Sequence, residues 1–264
     1  MTKMIVVTGF RRPEYLRQCL EALVNCRGIE NYPVLVSIDG GYGNDPQCAA
    51  VAESFQNQLT LEIRQCRNNH GINWHNHTTI ERALRVASAL DFIVLIEDDC
   101  VLAPDALELA DWFYAHPRRD EYHCMSLGHG EARYYPLTDP SAIREEPHLW
   151  SPWAWCFTRA RWEKMKPFWN GKKHVPTGWG YSHGYQMVRN GWKCLMPQLS
   201  RAKNIGRDMG TNGTPEWFDA NLATQVVSDG SHRGPYEIVS VLPDDWNVFP
   251  FEWMKEELAH ERES

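Results

Sequence analysis

The chain has 264 residues, of which 43% are hydrophobic and 23% charged, with a formal net charge of −7. That length and balance fit one large or two small globular domains and exclude disordered, collagen-like and low-complexity classes. No run approaches the roughly 20 apolar residues of a membrane span. The opening lacks the apolar stretch of a signal peptide, and the eight cysteines contain no C-x-x-C pair. Together these predict a cytoplasmic protein with reduced thiols.

Strand and helix signals alternate from the start. Residues 4–8 form a short apolar strand. Pro13 opens a helix with Tyr15, Leu16, Cys19, Leu20 and Leu23 on one face. Residues 34–38 read as a second strand, closed by Asp39-Gly40-Gly41. Residues 48–58 read as helix, 59–64 as a third strand, and 78–90 as a helix with Ile80, Ala83, Leu84 and Ala87 inward. Residues 92–96 are a continuous apolar strand of the parallel-sheet kind, ended by Glu97-Asp98-Asp99, and 104–115 are helical. This order predicts an α/β domain with a mainly parallel sheet, where ligands bind beyond the carboxyl ends of the strands. Asp39 and the 97–99 turn both fall at such ends. Residues 150–192 are dense in Trp, Pro and Gly and read as the less regular part of the same domain, shaping a pocket. Residues 251–262 read as a closing helix.

Three carboxylates follow the strand at 92–96, with no basic neighbour in the sequence to neutralise them. Clustered acids repel unless a cation joins them, and hard oxygen ligands suit Mg²⁺ or Mn²⁺ with a bound diphosphate. Charge is also uneven. Residues 159–207 hold eleven Lys/Arg and one acid, Glu163, giving +10 against −17 for the remainder. The excess points to an anionic ligand.

The segment Ile96-Glu97-Asp98-Asp99-Cys100-Val101-Leu102-Ala103-Pro104-Asp105 resembles the acidic metal motif of GT-A glycosyltransferases, closest to the N-acetylglucosaminyltransferase I and protein O-mannose N-acetylglucosaminyltransferase family. Val6-Val7-Thr8-Gly9-Phe10-Arg11-Arg12-Pro13 is similar to its first strand and helix, and Val36-Ser37-Ile38-Asp39-Gly40-Gly41 to its second strand. The resemblance covers roughly residues 4–213. It implies a single Rossmann-like GT-A domain over 1–264: a nucleotide-sugar half at about 1–115, an acceptor half at about 116–215 and an extension at about 216–264. It also implies a sugar moved from a UDP-sugar to a hydroxyl, with Mn²⁺ or Mg²⁺. Asp99 would ligate the metal, while Glu97 and Asp98 would contact ribose, donor sugar or the metal's waters. Asp39 would accept from a uracil N–H and Arg12 would lie against the base. Thr8 and one of His70, His75 and His77, taken as His75, complete the donor side.

The sequence departs from the family at two places. The stretch 178–186 lacks the expected carboxylate base; His183 is the candidate, with Asp208 and Glu131 as fallbacks. A late metal-binding histidine is replaced by Asn212. On the acceptor side, Trp153, Trp155, Trp179 and Tyr181 offer faces that stack on sugars or on bases. Interleaved with the +10 segment, they leave two acceptors open: a hydroxymethylated pyrimidine in DNA, as modified in some bacterial viruses, or a protein or glycan hydroxyl. The rivals are a nucleotidyltransferase, which lacks its Gly-rich loop here, and a non-catalytic carbohydrate- or DNA-binding relative. The P-loop motif of a kinase is absent.

Overall fold

The computed structural model describes residues 2–42, 44–129, 139–146, 151–169, 179–208 and 214–239, apart from five side chains inside 179–188. Chain order begins β1 (Lys3–Gly9), α1 (Pro13–Val24), β2 (Val34–Ile38), α2 (Gln47–Glu53), β3 (Leu61–Gln65), α3 (Gly71–Val86) and β4 (Phe92–Glu97). After the acidic turn come β5 (Cys100–Leu102), α4 (Ala106–Ala115), β6 (Cys124–Ser126), β7 (Ala142–Glu146), β8 (Ala154–Thr158) and α5 (Arg159–Met165). The described part ends with α6 (Trp179–Asn190), β9 (Cys194–Pro197), β10 (Ala202–Asn204), α7 (Pro215–Asn221) and β11 (Glu237–Val239).

Among the described residues, nine strands form one sheet in the order β11-β7-β9-β6-β8-β4-β1-β2-β3, and β10 pairs with β5 in a small second sheet. Strands β1 to β4 are mutually parallel, while β8 runs antiparallel between β4 and β6. Successive side chains of a strand face opposite sides, and this sequence makes both sides apolar. Ile5, Val7, Val94 and Ile96 face a core formed with α1, α2 and α4, where Leu16, Leu20, Leu23 and Leu107 are fully buried. Met4, Val6, Ile93 and Leu95 face a second core with Ile80 and Leu84 of α3, Trp162 of α5 and Met187 of α6. Each such aliphatic side chain contributes roughly 1.5–3 kcal/mol on burial.

The α/β class with a mainly parallel sheet, read from the sequence, is the fold observed. Two expectations need correction. The 150–192 region and its neighbours are not merely irregular: β6, β7, β8 and β9 extend the main sheet. The helix expected at 78–90 begins at Gly71, because a carboxylate from β2's end satisfies its first N–H groups, as described below. The expected helix at 251–262 lies outside the described residues. Because the chain runs β1-α1-β2 to one side and returns through α3 to place β4 on the other side of β1, the sheet's switch point lies between β1 and β4. Such points form the ligand crevice of open α/β sheets.

Candidate functional site

The acidic turn sits at that switch point. Thr8, buried near the end of β1, is in register with Glu97, and its carbonyl accepts from the Asp98 N–H at 3.0 Å. Asp98 is 1% exposed. Its Oδ2 accepts from the Phe10 N–H at 3.1 Å and from Arg12 Nε at 3.4 Å, and its Oδ1 accepts from Arg12 Nη2. Arg12 Nη1 donates to Asp99 Oδ2 at 2.7 Å. One expectation falls here: the turn does have a neutralising cation, supplied from 86 residues away, and it is Arg12, the residue expected to lie against the base.

The charges follow from this packing. Burial works against the Arg12 guanidinium, yet Asp98, Asp99 and Glu97 together hold it above its usual range. Burial pushes the Asp98 carboxyl up to about 6, with the Arg12 charge pulling down and Asp99 pushing up. Burial and then repulsion from Asp99 raise Glu97 well above the usual carboxylate range. Asp99 is fixed from its other side. Its carbonyl accepts from the Ile205 N–H at 2.8 Å, beside the β5–β10 pairing, and a Cβ on Gly206 would stand 2.3 Å from its Oδ2. Sequence reasoning missed Gly206, whose role exists only through this approach.

Both oxygens of Asp98 are taken. The oxygens left to a divalent ion are Asp99 Oδ1, 3.7 Å from the Cys100 thiol, and the Glu97 carboxylate. Hard oxygens of this kind fit Mg²⁺ or Mn²⁺ completed by water and phosphate. The three acids do not converge as a set. Among the described residues, the side chains that do converge are Asp39, Cys66, His70 and His75.

Asp39 closes β2 at 3% exposure. Its Oδ1 accepts from the Gly40 N–H at 3.0 Å, and both oxygens accept from the His70 N–H at 3.0 Å. Oδ2 also accepts from the Gly71 N–H at 3.0 Å, so the carboxylate caps α3. His75 is equally buried, within α3, with Nε2 3.0 Å from the Ser37 carbonyl. Asp39 and His75 therefore organise the turn from inside, whereas His70 is the partly exposed member. His77 packs on the rings of Trp74 and Trp162, each 5.4 Å away between centroids.

The remaining candidates scatter. His183 is 1% exposed, with its ring 4.5 Å from Trp169 and 5.9 Å from His123, and burial pushes its imidazole down to about 3. Burial therefore works against the role of base expected for His183. Trp155 is fully buried against Phe157 and leaves the acceptor set. Trp153 stays near the turn, partly buried, with its carbonyl accepting from the Glu97 N–H at 3.0 Å. Asp208 is exposed, paired with Arg207, and its N–H donates to the Tyr15 hydroxyl at 3.3 Å. Tyr15 in turn lies 5.6 Å from the Arg12 guanidinium. Glu131, Asn212 and the side chains of Trp179 and Tyr181 lie outside the described residues.

Among the described residues, six cations of the basic segment have carbonyl or carboxylate partners. Arg159 donates to the Leu84, Ala87 and Leu90 carbonyls, and Arg161 to that of Asp120. Lys166 pairs with Glu163, Lys193 with Glu145, Arg201 with Asp105 and Arg207 with Asp219. Trp162 and Trp169 are core residues.

Comparison with known proteins agrees with the geometry. The family described as "Glycosyltransferase like family 2" matches residues 3–134. The mannosyltransferase PcManGT of Pyrobaculum calidifontis, solved with GDP-Man and Mn²⁺, is 16% identical over 74% of this chain and 54% of its own, with a TM-score of 0.54. S. aureus TarS 1-349 with UDP-GlcNAc is 15% identical over 76% of this chain and 58% of its own, with a TM-score of 0.52. At such identity the likeness is one of fold, and the chain spans little more than half the length of these proteins. Among the described residues no helix is long and apolar enough to cross a membrane.

Proposed function

The chain belongs to the glycosyltransferase-like family 2, and we propose that it moves a sugar from a UDP-sugar to an acceptor hydroxyl. The observation that carries this reading is the Arg12-bridged acidic turn at the switch point between β1 and β4. Diphosphate would lie beyond Thr8 and Glu97, and the nucleobase at the rim of the Asp39 turn. A UDP donor is favoured by the likeness to a protein solved with UDP-GlcNAc. Asp99 and Glu97 would hold Mn²⁺ or Mg²⁺, which supplies charge neutralisation for the leaving diphosphate. The donor half is about 1–115 and the acceptor half about 116–215, with an extension at about 216–264.

In the transfer the acceptor oxygen bonds to the anomeric carbon, the bond from that carbon to the diphosphate oxygen breaks, and UDP leaves. Asp208 is exposed and follows closely on Gly206, which abuts Asp99, and it is our candidate for the acceptor's proton. Trp153 would wall the acceptor side.

The acceptor we favour is a protein or glycan hydroxyl. What supports this preference over a DNA track is the pairing of six basic residues and the core positions of Trp155, Trp162 and Trp169. The experiment is UDP release with Mn²⁺ across several UDP-sugars, with glycans, peptides, and unmodified or hydroxymethylated DNA as acceptors, and products weighed by mass spectrometry. Hexose mass on modified DNA alone would overturn the acceptor reading. Binding of UDP-sugars without turnover on any acceptor would favour a non-catalytic relative.

A further inference from the structure

One cation at the switch point has no part in the chemistry above. The chain leaves β1 at Gly9 and enters α1 at Pro13, turning over Phe10, Arg11 and Arg12. On one side the Gly9 carbonyl accepts from the Asp39 N–H at 2.8 Å. On the other side a Cβ at Gly9 would stand 3.2 Å from Asp98 Oδ2. The turn therefore runs between the Asp39 corner, at whose rim the nucleobase would lie, and the acidic turn. A donor reaching from one to the other passes its ribose and diphosphate over residues 9–12.

Phe10 and Arg12 both serve the acids. The Phe10 N–H donates to Asp98 Oδ2 at 3.1 Å, and Arg12 commits all three guanidinium nitrogens to Asp98 and Asp99. Arg11, between them, does not. Among the described residues it makes no hydrogen bond or ion pair to a carboxylate. Its guanidinium carbon lies 5.7 Å from the centre of the Phe10 ring, and both residues are partly exposed.

The backbone of Arg11 is also unusual. Its φ is 50°, and among the described residues it is the one residue other than glycine at positive φ. A Cβ is unfavourable in that conformation, which glycine adopts freely. The contact with the Phe10 ring is weak at a partly exposed place and offsets little of the strain. A strained residue at a ligand crevice, with a charged side chain that the fold does not use, points to a role for that side chain in binding.

We infer that Arg11 holds the diphosphate of the donor, with guanidinium hydrogens that Arg12 has already given to the acids. The inference rests on the donor reading above. A planar guanidinium matches two phosphate oxygens at once. The leaving nucleoside diphosphate carries one more negative charge than the same group within a sugar nucleotide. The hold of Arg11 therefore strengthens as the bond to the sugar breaks, which is the condition for a contact to speed transfer. Arg12 meanwhile keeps the carboxylates in place.

The test compares the natural full chain with Arg11→Gly, which removes the guanidinium and relieves the backbone. UDP binding in Mg²⁺ is followed by calorimetry, and circular dichroism checks that each protein folds. Arg11→Gly is expected to bind UDP roughly 10- to 100-fold more weakly at low salt. The deficit should narrow as salt rises, because salt screens a contact made by a partly exposed charge. Arg11→Lys keeps the charge without the planar fork and should recover part of the affinity. Arg85→Gln controls for lost charge alone. It lies about 21 Å along α3 from Gly71 and should bind UDP as the natural chain does. An unchanged UDP affinity in folded Arg11→Gly, or a loss of the same size at every salt concentration, overturns this inference and leaves the donor reading standing. Failure of the natural chain to bind either UDP or GDP overturns the donor reading, and this inference with it.

Discussion

Gly206→Ala tests the acidic turn without touching its carboxylates. The new Cβ would stand 2.3 Å from Asp99 Oδ2 and 3.0 Å from Asp99 Cγ, where ordinary contact begins near 3.4 Å. The carboxylate must therefore retreat by about 1 Å. It has little room to do so, because Arg12 Nη1 holds Oδ2 at 2.7 Å and the Ile205 N–H holds the Asp99 carbonyl. A 1 Å misplacement at a reacting centre costs roughly 100-fold in rate. The overpacking itself costs about 1–3 kcal/mol, a drop of several degrees in Tm for a domain of this size. The assay is a thermal melt beside UDP release with saturating Mn²⁺, donor and acceptor. Gly191→Ala is the control. Its φ of 62° strains an alanine but nothing lies within 4 Å, so it should lower Tm and leave the rate alone. A folded Gly206→Ala protein turning over at the natural rate would refute the claim that Asp99's position governs transfer.

Asp99→Ala is expected to abolish transfer while circular dichroism stays native, because the Arg12–Asp98 pair remains. With Asp98 raised to about 6, lowering pH through that value neutralises it and loosens Arg12, so the rate should fall below pH of about 6, and Asp98→Asn should lose that limb. Stability moves the other way. A carboxyl raised above its unfolded value of 3.8 favours the fold at low pH, and that contribution is lost as pH rises through about 6. Urea titration of the natural chain against Asp98→Asn between pH 4 and 7 measures it. Arg201→Met leaves Asp105 buried and unpaired and should cost about 3–5 kcal/mol in the same assay. His183→Leu is expected to leave the shape of the pH–rate profile unchanged; loss of a limb near neutrality would restore His183 as base.

Local signals carried the donor half. The apolar runs of β1, β2 and β4 and the Pro13 start of α1 are written in single stretches of chain, and each lies within a few residues of where the sequence puts it. The acidic turn was legible for the same reason. Its partner was not. Arg12 reaches Asp98 and Asp99 across more than eighty positions, and nothing in the sequence near residue 98 records the contact. The start of α3 was missed likewise, since its cap, Asp39, sits on another strand. Cys66 gave no spacing signal because its partners come from the turn at the end of β2 and from α3. The Gly40-Gly41 pair was the available hint that two backbones meet there.

The charge asymmetry also has a source within the fold. A +10 segment beside a −17 remainder reads as a ligand surface only if the two do not meet. Here they meet. Arg201 of the late segment is fully buried on Asp105, and Lys166 lies 3.7 Å from Glu81 of α3. Arg159 covers the last carbonyls of α3, where a cation offsets the helix dipole. The exposed pairs among these are worth little, about 0–1 kcal/mol each. The buried ones fix how the second half lies on the first. Among the described residues, these contacts tie the basic segment to α3 and to Asp105 at the start of α4, so part of its charge serves the packing of the second half on the first.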